Sequence, residues 1–138
     1  MELCRKFATS LLRWVYGLFY VYVGGSWFLH QLLDKPWSVP EKNESAQRLV
    51  NAMSESGIVD PLIAGTCLVG GLLLFVKRTS PLGIAMLAPL VFGIFIFHAF
   101  ITGDWIWGSI HFGLLVLLAW LHRSAFRPLW SYGTTRGA

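Results

Sequence analysis

The sequence predicts an all-α integral membrane protein. The expected architecture is an up-down four-helix bundle, N-in/C-in, with a short amphipathic helix in the outer loop between helices 1 and 2. Three observations predict it. Of 138 residues, 55% are hydrophobic and only 13% charged, against about 25% charged in a soluble domain. Mean hydropathy is +0.59. The apolar residues gather into four runs, and the two that flank residues 102–105 are each about long enough to cross the hydrocarbon, which takes roughly 20 helical residues. Lys and Arg collect mainly at the run ends on one side, as the positive-inside rule expects. At this length a single domain, residues 1–138, is expected.

Helix 1 is expected at about 11–33. Its run exceeds the roughly 7–15 apolar residues of a signal peptide, and no A-x-A-like site follows, so it reads as a retained helix. Residues 34–60 form the long polar loop. Pro36 and Pro40 keep its start out of helix. Ala46, Leu49, Val50 and Met53 then recur at amphipathic spacing, so a surface helix is expected at about 45–56, stopped by Gly57. It would cover the helix ends or act as a lid over a site. Asn43-Glu44-Ser45 matches a glycosylation sequon.

Helix 2 is expected at about 61–76. The basic turn Lys77-Arg78-Thr79-Ser80-Pro81 leads into helix 3 at about 82–102, with Pro89 inside it. Helix 4 follows at about 105–122. A basic tail with Arg123, Arg127 and Arg136 would set topology and touch anionic membrane lipid. With the N-terminus inside, 8 of 11 Lys and Arg lie inside; Lys35, Lys42 and Arg48 lie outside. The short links make helices 2, 3 and 4 antiparallel neighbours. Small residues expected at the seams are Gly17, Gly24, Gly65, Gly70, Gly83, Ser109 and Gly113.

The informative polar residues lie near the outer ends. His30, His98 and His111 fall in one shallow layer at 1.5 Å per helical residue. Asp34 lies four residues from His30, and Asp104 seven from His111, so each shares a helical face with its histidine and could orient it. Three readings compete. The histidines are incidental; they line a pocket for a quinone or lipid headgroup; or they hold a metal or haem, with His30 and His98 the pair best placed for haem. Cys4 and Cys67 form no CxxC and argue against a dithiol or a disulfide framework. His122 reads as an interfacial anchor. Nucleic-acid binding has no support.

Several stretches resemble the DoxX-like family of small four-helix membrane proteins. Arg13-Trp14-Val15-Tyr16-Gly17 with Gly24 resembles its first-helix opening, and Gly57-Ile58-Val59-Asp60-Pro61 the turn into helix 2. Gly70-Gly71-Leu72-Leu73-Leu74 resembles its glycine-leucine stretch, and Phe97-His98 its aromatic-histidine pair. Where family members often carry a glutamate, three residues before Gly70, this chain has Cys67. The resemblance implies a multi-pass protein of the bacterial inner (cytoplasmic) membrane. It also implies a quinone-linked or redox-accessory role beside a membrane protein partner, or as a homo-oligomer. The expected function is a small redox-associated subunit in which His98 and His111, with His30, bind a quinone or other small ligand, and Asp34 and Asp104 orient them. The alternatives are a non-catalytic membrane subunit or assembly factor, and a haem- or metal-binding membrane protein.

Overall fold

A computed structural model describes residues 2–37 and 40–130. Among them the chain is all helical: α1 (Glu2–Leu32), α2 (Glu44–Glu55), α3 (Val59–Phe75), α4 (Ser80–Ile96), a π-helical turn (Phe97–Thr102), α5 (Trp105–Leu121) and α6 (Arg123–Trp130). Arg136 lies outside the described residues.

The four long helices pack in chain order, α1 on α3, α3 on α4 and α4 on α5, and α5 returns to touch α1. Glycine sets the closest of these approaches. A Cβ on Gly17 would sit 3.0 Å from the Gly71 carbonyl oxygen, and one on Gly71 would sit 2.8 Å from that of Gly17. Gly24 faces the backbone of Ala64 and Leu68 in the same way, 2.6 Å from the Leu68 nitrogen. With no side chains between them, α1 and α3 meet backbone to backbone, which maximises dispersion contact. Gly70 and Gly83 also lie at seams, as expected from sequence. Gly65 and Gly113 face open space, and Gly71 and Gly108 take the seam positions instead. The core inside these contacts is Tyr16, Tyr20, Cys67, Leu74, Ile84, Leu87, Val91, Leu115 and Leu118.

Four complete membrane spans are not what the helices give by length and composition. One continuous stretch, Ser80–Thr102 with 23 residues, is long and apolar enough to cross a membrane. The number rises to three only if two bent pairs count as single spans: α2 with α3, bent by 87°, and α5 with α6, bent by 77°. The reason is local. α3 and α5 have 17 residues each, and α1, though 31 residues long, is interrupted by Arg13 and diluted by tyrosine, tryptophan and glycine.

Other boundaries also differ from the sequence expectation. α1 begins at Glu2 rather than near residue 11. Helix 3 does not run evenly to Thr102 but widens into the π turn after Ile96. There the Thr102 hydroxyl donates back to the His98 carbonyl at 3.1 Å, a bond that loosens the backbone ladder. Gly103, with φ of 80°, ends the segment. Part of the basic tail is helical: His122 breaks the axis and α6 follows.

The α2 segment closes the end where α3 and α5 begin. The Asn43 side chain caps it, accepting from the Ser45 and Ala46 amides at 2.9 and 3.4 Å. Its Nδ2 donates to the Ile101 carbonyl at 2.8 Å, tying the cap to the π turn. The sequon asparagine therefore spends its amide within the fold. Ala46 is fully buried and Val50 and Met53 half-buried, whereas Leu49 is exposed. Ser54 donates to Asp60 at 2.8 Å across the bend into α3.

Candidate functional site

Arg13, Tyr16 and Tyr20 are spaced three and four apart, so one stripe of α1 carries them inward. All three are buried. Opposite Tyr16 and Tyr20 stands His111 of α5, only 7% exposed. The Tyr16 hydroxyl donates to the main-chain carbonyl of His111 at 3.0 Å. Its only proton is then committed. The Tyr20 hydroxyl lies 3.4 Å from His111 Nδ1 and 3.5 Å from the Tyr16 oxygen, both long for hydrogen bonds. The imidazole packs beside Phe19 and Trp107, with ring centroids 4.8 and 4.7 Å away. Among the described residues no hydrogen bond engages its Nε2. Cys67 of α3 belongs to the same buried cluster as the two tyrosines and is 1% exposed.

His98 approaches this layer from the π turn. A Cβ on Gly108 would sit 3.0 Å from its Cβ, so the missing side chain at Gly108 admits it against α5, one turn before His111. Its Nδ1 lies 3.3 Å from the Thr102 hydroxyl. His98 and His111 thus flank one short stretch of α5.

The other predicted site residues do something else. His30 Nδ1 lies 2.8 Å from the Pro36 carbonyl oxygen, and Trp37 Nε1 donates to Ser26 Oγ at 3.0 Å. Both contacts fold the loop after α1 back onto that helix. Asp34 takes a left-handed φ of 50° just past α1. The Lys35 amide donates to the His30 carbonyl and the Asp34 amide to the Gln31 carbonyl, which closes the helix end in a Schellman arrangement. Asp34 is therefore a helix terminator. Asp104 precedes α5 without capping it through its side chain. Among the described residues neither carboxylate bonds a histidine, and no three His, Cys, Asp or Glu side chains gather closely enough to hold a metal ion. His30, His98 and His111, the candidates for a metal site, do not gather into a three-ligand set among the described residues, and His30 is turned to its own helix end.

Sequence reasoning overlooked Tyr16 and Tyr20. The signal was present as two tyrosines four apart in an otherwise apolar helix, where a hydroxyl needs a partner.

No protein family matches this chain, and neither a characterised protein nor a solved structure matches it.

Proposed function

We propose that the chain is a four-helix integral membrane protein of DoxX-like type in the bacterial inner membrane, with both ends cytoplasmic, and that it is a small redox-associated subunit binding a quinone-class ligand beside His111. The membrane reading draws support from the outward helix faces, where Leu18, Tyr22, Leu72, Leu82, Phe92 and Leu117 are exposed. The family reading draws support from Gly17, Gly24, Gly70 and Gly71, motif residues that sit at helix seams.

The observation that carries the ligand reading is His111. It has aromatic rings on its flanks and one nitrogen uncommitted. When Tyr20 donates to Nδ1, the neutral imidazole holds its proton on Nε2. A quinone carbonyl would accept that proton's hydrogen bond, and Phe19 and Trp107 would pack against the ring. Such a ligand supplies two-electron chemistry when bound. This chain supplies position, a hydrogen bond and exclusion of water.

A second reading, a non-catalytic membrane subunit, is favoured by the Tyr16–His111 bond, which clasps α1 to α5 without any ligand. One experiment separates the two. The protein is purified in mild detergent, its extract searched for quinones by mass spectrometry, and a short-chain quinone titrated against tryptophan fluorescence. Quinone retained by the wild type, with affinity reduced about tenfold in His111→Ala, is the expected result. Equal affinity in the two proteins defeats the quinone reading and leaves the clasp. A Soret band in the same preparation would replace quinone with haem.

A further inference from the structure

At the other end of the helices lies a cavity of about 830 Å³ between α1, the α3–α4 turn and the α5–α6 break. Arg13 reaches it from α1 and is only 6% exposed. Its Nε is enclosed and has no hydrogen-bond partner, and among the described residues no ion pair serves any part of its guanidinium. A largely buried cation whose Nε is shut off from water and unpartnered is costly unless something of opposite charge meets it from the cavity. Most of the carboxylates lie far from it. Six of the seven acids fall in 34–104 around the opposite helix ends, and the seventh is Glu2.

The rest of the lining has the same sign. Lys77, Arg78, Arg123 and Arg127 join Arg13, and among the described residues no Asp or Glu lines the cavity. The Arg123 guanidinium stacks over the Trp120 ring, 4.8 Å from its centroid, which fixes that cation at the rim. Trp120, Leu121 and Pro81 add an apolar wall. Clustered guanidinium forks suit the tetrahedral oxygens of phosphate better than a single carboxylate. The volume falls within the range of small-ligand sites, so it admits more than the phosphate itself.

We infer that this cavity is a binding site for a phosphate group, carried by an acidic phospholipid headgroup or by a soluble phosphate ester, with Arg13 as its buried anchor. The site stands apart from the His111 layer and does not depend on the ligand proposed there.

The test uses the full chain in neutral detergent at low salt. Short-chain phosphatidylglycerol and glycerol phosphate are titrated separately by calorimetry against wild type, Arg13→Lys and Arg13→Met. Wild type binds at least one probe; preference for the lipid identifies a headgroup, and equal binding identifies a soluble ester. Arg13→Met weakens binding by about tenfold or more, and Arg13→Lys by less, since lysine keeps the charge and loses the fork. If neither probe binds wild type, or if Arg13→Met binds as wild type does, the inference is overturned. Should Arg13→Met fail to fold, the exposed double variant Arg78→Gln with Arg123→Gln takes its place: a loss of similar size upholds the site, and unchanged affinity overturns it.

Discussion

The hydroxyl of Tyr16 donates to the main-chain carbonyl of His111 at 3.0 Å, joining two residues 95 positions apart. That oxygen also lies in the carbonyl ladder of α5, so the bond fastens α1, the first long helix, to α5, the last. Tyr16→Phe is expected to destabilise the protein by about 1 kcal/mol, because a buried carbonyl loses one of its donors. Tyr20→Phe, whose hydroxyl makes only long contacts, is expected to cost less. Thermal unfolding of both variants in detergent checks the order; the reverse order would mean that Tyr20 carries the clasp.

The α1–α3 seam makes a sharper prediction from two adjacent glycines. A Cβ at Gly24 meets the Leu68 backbone, whereas one at Gly25 meets nothing within 4 Å. Gly24→Ala is expected to cost about 1–3 kcal/mol by forcing the helices apart. Gly25→Ala is expected to leave stability within about 0.5 kcal/mol of wild type or raise it, since alanine favours helix. Matching melting temperatures for the two variants would exclude this close approach.

Asn43 serves two partners at once, the first amides of α2 and the carbonyl of Ile101. Asn43→Ala is expected to cost about 1 kcal/mol through the lost cap. Hydrogen exchange should accelerate in α2 and also in the π turn that bears His98. Acceleration limited to α2 would mean that the Ile101 bond contributes nothing.

Cys67 is sealed in the core beside the tyrosines. In a Cys4→Ser background, maleimide should label it at least about tenfold more slowly in the folded protein than after denaturation, because reaction requires opening. Fast labelling in the folded state would mean that the core opens readily around this thiol.

Much of the architecture was legible in the sequence because it depends on local chemistry. The loop helix followed from the spacing of Ala46, Leu49, Val50 and Met53 and from Gly57, although Leu49 faces outward. The turn at residues 77–81 followed from its charges and Pro81. The site was less legible. His98 and His111 were picked out as polar residues in apolar runs, and they do flank Gly108 together. His30 and Asp34 looked equivalent to them by depth. Depth along a helix says nothing about the direction in which a loop folds, and here Lys35, Pro36 and Trp37 fold back onto α1 and occupy both residues locally.

By itself, then, the sequence determined an all-helical chain, the approximate place of its long helices and the segregation of charge to their two ends. These are read from composition, periodicity and the order of residues, none of which needs a partner. Tertiary structure alone decided which stripe of α1 faces inward. That helix is apolar nearly all round, so Arg13, Tyr16 and Tyr20 could be assigned a face only once Gly17 and Gly24 had met Gly71 and Ala64. The same contact brings Tyr16 to His111 and turns Arg13 to the basic cavity, where no carboxylate among the described residues meets it. Both proposed sites depend on that one choice of face.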